Sequence, residues 1–165
     1  MKFKRYLLVF GLILLNIACD QVSKKIVRDD VEPHSQTEII GDLFILTNVE
    51  NKGAFLGMGS DLNPILKTVL LLILPIAVLL VVIRYVLVKD NLDTFNLIGL
   101  TFIVGGGIGN LYDRILYGQV TDFFHIDLGG IFKTGIFNMA DVSVMVGMAF
   151  ILLAGILHKK EKALN

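Results

Sequence analysis

Residues 65–88 read ILKTVLLLILPIAVLLVVIRYVLV, an apolar run in which Lys67 and Arg84 are the only charged residues. A helix needs about 20 mostly apolar residues to cross the hydrocarbon core of a bilayer. Pro75 is compatible with such a helix, because neighbouring groups in a membrane bundle can satisfy the backbone that a proline leaves free. The run therefore predicts a membrane-spanning helix.

Three further apolar runs cover residues 6–19, 94–112 and 142–157. Hydrophobic residues make up 55% of the 165-residue chain and charged residues only 18%, whereas a soluble domain has about 25% charged residues. We therefore expect a mainly α-helical, polytopic membrane protein with one membrane-embedded domain. The expected transmembrane helices are roughly 6–27, 65–88, 94–112 and 141–158, and the expected outer loops are 28–64 and 113–140.

Lysine and arginine are densest in three short segments, namely the MKFKR start, the HKKEK segment near the end and residues 84–89. Positive residues of short segments are retained on the cytoplasmic side of a membrane. This distribution predicts that both termini are cytoplasmic and that the two longer loops lie outside. The formal net charge is zero, so we expect no nucleic-acid partner, which would require a basic face.

The first outer loop contains TEIIGDLFILT at residues 37–47. Two runs rich in β-formers flank a Gly41-Asp42 turn, which predicts a β-hairpin. We expect this hairpin to lie at the membrane surface.

Residues 1–19 also resemble a secretory signal, because a basic start and an apolar run end at Ala18-Cys19. Cleavage before a lipid-modified cysteine requires an aliphatic residue three positions earlier, where this chain has Asn16. Three later spans also argue against a secreted product, so we expect a retained first helix.

Polar residues lie at the ends of separate spans. Asp20 follows the first apolar run, Asn110 and Arg114 end the third, and Asp141 begins the fourth. The predicted topology places all of these ends on the outer side, and Asp122 lies in the loop between the last two spans. Carboxylates at membrane depth are functional candidates, although single aspartates also serve as helix N-caps.

Several hydrolytic chemistries fit this sequence poorly. The three histidines are His34, His125 and His158, which are scattered, and no HExxH motif occurs, so we expect neither a metal site nor a cofactor. The single thiol, Cys19, lies in an apolar run without an evident base, and no serine occupies a nucleophile elbow.

Two aspartates offer a better alternative. Neighbouring carboxylates share a proton, so one can activate water while the other protonates the leaving group. Asp122 and Asp141 are candidates because a Gly-rich segment joins them, although spacing alone leaves Asp113 and Asp127 as other partners.

Five motifs, in order along nearly the whole chain, resemble those of the lipoprotein signal peptidase (signal peptidase II) family. They are Asp20-Gln-Val-Ser-Lys24, Asn51-Lys-Gly-Ala-Phe55, Gly106-Gly-Ile-Gly-Asn110-Leu-Tyr-Asp113-Arg114, Gly118-Gln-Val-Thr-Asp122-Phe123 and Phe137-Asn-Met-Ala-Asp141. One departure is Thr121, where the family often has valine.

The resemblance implies an aspartic endopeptidase of the bacterial cytoplasmic (inner) membrane. It also implies a small extracytoplasmic β-sheet cradle, which agrees with the predicted hairpin. The endopeptidase would remove signal peptides from diacylglyceryl-modified prolipoproteins by cutting before the lipidated cysteine. The implied catalytic residues are Asp122 and Asp141, and the implied partners are the lipidated prolipoprotein, membrane lipids and globomycin-type inhibitors. Substrate binding is implied for Asp20, Lys24, Asn51, Gly53, Phe55, Asn110, Arg114 and Asn138.

The alternative from another class is a small transporter or channel subunit, because intramembrane carboxylates also mark ion pathways. Such a pathway needs polar groups through the full depth of the membrane. Here the polar residues are concentrated in one leaflet and Arg84 lies near the opposite face.

Overall fold

A computed structural model describes residues 2–54, 57–130 and 132–164 of the chain. Four helices are long and apolar enough to cross a membrane, which confirms the predicted class. They are Phe3–Asp30, Pro64–Val88, Thr94–Tyr117 and Met139–Lys159. A three-stranded antiparallel sheet completes the fold.

The elements follow one another in the order helix, hairpin, two helical spans, strand and helix. In detail they are α1 (Lys2–Asp30), β1 (Gln36–Ile40), β2 (Phe44–Asn51), α2 (Pro64–Thr68), a π-helical segment (Val69–Ile73), α3 (Leu74–Val88), α4 (Thr94–Tyr117), β3 (Val120–Ile126) and α5 (Met139–Leu164).

Helix α4 continues to Tyr117, beyond the predicted end at 112, so Asp113 and Arg114 belong to a helix and not to the outer loop. The helix ends where Gly118 adopts a left-handed conformation with φ of 71° and donates its N–H to the Arg114 carbonyl at 3.2 Å. Glycine accepts this conformation without steric cost and is the common residue at this cap position. The helix therefore continues through Asp113 and Arg114. Their side chains contact Lys24 and the Gly53 carbonyl, respectively.

The second span consists of α2, the π-helical segment and α3 in direct succession. Asn63 caps its start by accepting the Leu66 N–H at 2.9 Å. The π-helical segment immediately precedes Pro75, which lies near the start of α3. A proline lacks the N–H of a regular helical hydrogen bond, and a local π-helical turn is one way in which a helix absorbs such a defect.

Glycines allow α4 to approach the helices on either side of it. A Cβ atom on Gly99 would lie 2.6 Å from the Gly147 carbonyl oxygen of α5, and one on Gly106 would lie 2.3 Å from the Ala140 oxygen. A Cβ atom on Gly105 would lie 2.7 Å from the Cβ of Asn16 in α1. Small residues of this kind permit close helix packing in membranes, so helix contact accounts for the glycine-rich segment.

The sheet has the order β1-β2-β3, and both pairs are antiparallel. The β1–β2 hairpin around Gly41 matches the predicted one, whereas β3 was not predicted. Pairing of β3 with β2 places Asp122 opposite Val49. The N–H groups of Phe123 and Phe124 bond to the Phe137 carbonyl at 3.0 and 2.9 Å, so β3 also holds the segment that leads into α5.

Candidate active site

Asp122 lies in the middle of β3 and only 4% of it is exposed. Its Oδ2 accepts a hydrogen bond from Asn51 Nδ2 at 2.9 Å, and its Oδ1 accepts one from Asn138 Nδ2 at 2.6 Å. Asn51 is the last residue of β2. The β2–β3 pairing therefore supplies one amide of this site, and the turn before α5 supplies the other.

Asp141 lies in the first turn of α5. Its Oδ1 accepts a hydrogen bond from Asn110 Nδ2 at 2.9 Å, and its Oδ2 accepts one from the Asn138 N–H at 3.2 Å. The Asn138 side chain accepts the Asp141 N–H in return at 3.0 Å. This reciprocal cap uses helix N–H groups that would otherwise have no partner, and it fixes the direction in which the Asp141 carboxylate points.

Asn138 joins the two carboxylates. It is fully buried, and it donates to Asp122 through its side chain and to Asp141 through its backbone. The two aspartates singled out in the sequence are thus held by one residue. The other candidate partners are engaged elsewhere, because Asp127 pairs with Lys133 at 2.6 Å and Asp113 pairs with Lys24 at 2.9 Å.

Three fully buried ionic side chains lie behind this pair. Lys24 Nζ is 2.8 Å from Asp20 Oδ2 and 2.9 Å from Asp113 Oδ2, and all three side chains have 0% exposure. The same Nζ donates to Asn110 Oδ1 at 2.9 Å. Arg28 approaches Asp113 at 3.7 Å, so two positive and two negative groups balance. Buried charges persist when they are paired in this way.

A loop segment after β2 closes one side of the site. Arg114 donates to the Gly53 carbonyl at 3.0 Å, and the Gly53 N–H donates to Asn51 Oδ1 at 2.8 Å. A Cβ atom on Gly53 would lie 2.5 Å from the Met58 carbonyl oxygen, so only glycine fits. Phe55, the remaining predicted substrate-binding residue, lies outside the described residues.

A cavity of about 500 Å³ opens next to Asp122. Its lining comes from β2, the loop after it, β3 and the segment before α5, and includes Asn51, Lys52, Ser60 and His125. Among residues 2–54, 57–130 and 132–164, no three His, Cys, Asp or Glu side chains come close enough to hold a metal ion.

The sequence profile of the family described as Signal peptidase (SPase) II matches residues 12–157. The Lipoprotein signal peptidase of Pelodictyon phaeoclathratiforme is 38% identical over 157 residues, which cover 88% of this chain and 88% of that protein. The Lipoprotein signal peptidase of Clostridium novyi is 35% identical over 156 residues, which cover 94% of this chain and 97% of that protein. A solved bacterial membrane enzyme has a TM-score of 0.81 to this fold at 26% identity, covering 93% and 90% of the two chains. The chain belongs to the signal peptidase II family.

As a signal peptidase II family member, this chain is a multi-pass membrane peptidase. All of its site residues fall within the matched range of 12–157. The polar cluster described above therefore lies inside the part of the chain that carries the family resemblance.

The electrostatics of this signal peptidase II site distinguish Asp122 from an ordinary aspartate. Burial raises the pKa of the Asp122 carboxyl to about 6. The hydrogen bond from Asn51 lowers that pKa and the negative charge of Asp141 raises it, both less strongly than burial does.

Gln21 belongs to the polar cluster but was not singled out from the sequence, whereas Thr121 was noted only as a departure from the family pattern. Gln21 Nε2 lies 3.0 Å from Asp20 Oδ2 and 3.1 Å from Asp113 Oδ1, which links α1 to α4. Thr121 donates to Glu50 Oε1 at 3.1 Å across the β2–β3 pair. Gln21 stands between Asp20 and Lys24 within one motif, and that position was the available signal.

Proposed function

We propose that this protein removes signal peptides from diacylglyceryl-modified prolipoproteins, cutting before the lipidated cysteine with Asp122 and Asp141 as the catalytic dyad. Its relatives carry the name Lipoprotein signal peptidase at 38% and 35% identity. The observation that carries the proposal is the shared bonding of both carboxylates by Asn138. Hydrolysis by two carboxylates requires this kind of proximity.

The two aspartates differ in their surroundings, and the difference suggests their roles. Asp122 is buried, and its raised pKa favours the protonated form. The two oxygens of Asp141 accept N–H donors from Asn110 and Asn138, and these contacts fix the direction of the carboxyl group that receives the proton of water. We assign the shared proton to Asp122 and the role of general base to Asp141.

In the first step Asp141 takes a proton from water as the water oxygen attacks the scissile carbonyl carbon. Asp122 gives its proton to the carbonyl oxygen, which produces a neutral tetrahedral diol. In the second step Asp141 gives its proton to the leaving nitrogen while the C–N bond breaks. Asp122 recovers its proton from the diol, so the dyad returns to its starting state. The products are the signal peptide carboxylic acid and a free amine on the cysteine.

The position of the dyad suits a lipid-anchored substrate. Asp141 lies near the start of the Met139–Lys159 span, so the reacting groups are at one boundary of the bilayer. A diacylglyceryl group keeps the cysteine at the same depth. We assign that boundary to the outer leaflet of the bacterial cytoplasmic membrane, with both termini cytoplasmic. The density of lysine and arginine at the MKFKR start, in the HKKEK segment and in residues 84–89 supports this orientation.

Five of the predicted substrate-binding residues differ in how they could meet a substrate. Asn51, Gly53 and Arg114 connect the loop after β2 to the dyad, and we assign to them the substrate-facing side. Lipids are expected to surround the spans, and globomycin-type inhibitors are expected to compete for the cavity beside Asp122. Asp20 and Lys24 have 0% side-chain exposure, so direct contact with substrate does not fit them.

The test uses purified protein in lipid with a diacylglyceryl-modified prolipoprotein, followed by mass spectrometry of both fragments. Asp122→Asn and Asp141→Asn are expected to remove detectable cleavage, since each lacks one half of the proton transfer. Asp127→Asn is the matched control, because Asp127 pairs with Lys133 outside the site. Full activity in either dyad variant would refute the proposed mechanism.

A further inference from the structure

We propose that Lys24 is a positioning residue for Asp141, which it orients through the side-chain amide of Asn110. The inference rests on the proposed dyad. It assigns Lys24 to the support of the catalytic groups, in place of the substrate contact implied by the family resemblance. Three features carry it, namely the complete burial of Lys24, the orientation of the Asn110 amide and a second connection from the same helix.

The Lys24 ammonium has three N–H donors, and the structure places three acceptors around it. Asp20 Oδ2, Asp113 Oδ2 and Asn110 Oδ1 lie at 2.8, 2.9 and 2.9 Å. The side chain has 0% exposure. The contact with Asp113 is an ion pair and not a hydrogen bond. The ammonium group is enclosed by protein, so a substrate has no access to it.

The Asn110 amide has one correct orientation in this network. Its Oδ1 accepts from Lys24 at 2.9 Å and from Asn138 at 3.1 Å, which uses both lone pairs. Its Nδ2 must then point the other way, where it donates to Asp141 Oδ1 at 2.9 Å. A flipped amide would bring its oxygen against the Asp141 carboxylate and its N–H₂ against the Lys24 ammonium. Lys24 excludes that orientation because an ammonium group cannot accept a hydrogen bond.

The same turn of α1 also binds the backbone beside Asp141. Asp20 Oδ1 accepts the Ala140 N–H at 2.9 Å. Space for this contact requires Gly109, because a Cβ atom there would lie 2.6 Å from Asp20 Oδ2. Asp20 and Lys24 therefore hold Asp141 from two sides, one through the backbone of α5 and one through the Asn110 amide.

Charge extends the influence of Lys24 to the second aspartate. Its positive charge lowers the pKa of Asp122 against the larger effect of burial. The other charged groups around the network are Asp20, Asp113 and Arg28 behind it and Arg114 on the loop side. Replacing Lys24 together with Asp113 leaves the net charge of this set unchanged.

The test therefore uses Lys24→Met combined with Asp113→Asn, which removes one positive and one negative charge. Loss of a hydrogen bond to a charged group has an effect of about tenfold to a hundredfold. We expect kcat for a lipidated prolipoprotein to fall by that factor with KM unchanged, and the pH–rate profile to change shape. Lys25→Met is the matched control, because the neighbouring Lys25 is exposed and pairs with Asp29.

Asn110→Leu tests the same link without altering any buried charge, and it applies even where the double variant does not fold. It is expected to reduce kcat by a similar factor at unchanged KM. When Asn110→Leu is added to the Lys24→Met, Asp113→Asn double variant, little further decrease in kcat is expected. The three substitutions interrupt one chain of contacts.

Wild-type kcat and pH profile in either the double variant or Asn110→Leu would overturn the proposal. A rise in KM at constant kcat in the double variant would also overturn it, since that pattern indicates a substrate contact. Absence of cleavage by the wild-type protein would instead contradict the proposed function, so the two failures are distinguishable.

Discussion

Replacing Asp122 by asparagine is expected to abolish cleavage and, at neutral pH, to stabilise the fold. The pKa of Asp122 is raised from 3.8 to about 6 because the carboxyl is buried. Ionisation of this group therefore disfavours the folded state by about 3 kcal/mol once the pH exceeds 6, at 1.36 kcal/mol per pKa unit. The stability that the protonated carboxyl provides is fully present below pH 3.8 and is lost as the pH rises through about 6.

Asparagine removes this penalty but introduces a smaller one. Asn51 and Asn138 both donate to Asp122, and an amide can accept both only through its single oxygen. The loss of one such hydrogen bond costs about 1 kcal/mol. The net gain at pH 7 is then about 1–2 kcal/mol, which corresponds to a rise of roughly 3–8 °C in Tm for a protein of this size.

The assay is thermal unfolding of wild type and Asp122→Asn in one detergent between pH 4 and pH 7.5. The variant is expected to unfold at the higher temperature at pH 7.5 and at an equal or lower temperature at pH 4. Asp127→Asn is expected to change stability in the opposite direction. The contact with Lys133 lowers the pKa of Asp127, so this variant should be less stable than wild type at neutral pH. A stability difference for Asp122→Asn that does not change with pH would refute the reasoning.

Asn51→Ala removes a hydrogen bond that lowers the pKa of Asp122. The alkaline limb of the pH–rate profile, expected to begin near pH 6, should therefore move to higher pH. An unchanged limb would show that Asn51 does not affect the pKa that controls the rate. Gly106→Ala places a Cβ atom 2.3 Å from the Ala140 carbonyl oxygen and is expected to destabilise the protein by about 1–3 kcal/mol in thermal unfolding, with reduced cleavage. Gly11→Ala is its control, because nothing lies within 4 Å of a Cβ atom there, and it should match or exceed wild-type stability.

The apolar runs predicted the four helices because the bilayer imposes a length on each span. The predicted topology placed Asp122 and Asp141 on the same side of the membrane, because Asp122 lies in the loop that leads to the start of the fourth span. The hairpin around Gly41 was also predicted, since turn residues between β-formers act locally. These features depend on residues that are close in sequence or on a constraint common to all spans.

Contacts between distant segments had no comparable signal. The pairing of Asn51 with Val120 joins β2 to β3 across two spans and their loops, and no local pattern marks it. The contacts of Lys24 with Asp113 and Asn110 depend on a close approach of α1 to α4, for which Gly109 leaves space beside Asp20. The i,i+4 spacing of Asp20 and Lys24 is the same for an exposed pair and for a buried one, so this spacing does not indicate that the pair is buried.

The distribution of polar groups also argues against the transporter alternative. An apolar cluster joins α1, α3 and α4 at the end of the bundle away from Asp122 and Asp141. Its buried members are Val9, Ile13, Val86, Leu97 and Val104. Two buried polar side chains nearer the middle bond to their own helices, Asn16 to the Leu12 carbonyl at 2.7 Å and Thr101 to the Leu97 carbonyl at 2.6 Å.

An ion crossing such a bundle would meet an apolar cluster with no carboxylate in it, which is costly for a charge. Hydrolysis needs water from one side only. The buried polar network of Lys24, Asn110, Asn138, Asp122 and Asp141 lies at the end of the spans away from this apolar cluster. The same arrangement that makes transport implausible is therefore what a membrane peptidase requires, because its catalytic groups must keep one geometry while lipid surrounds them.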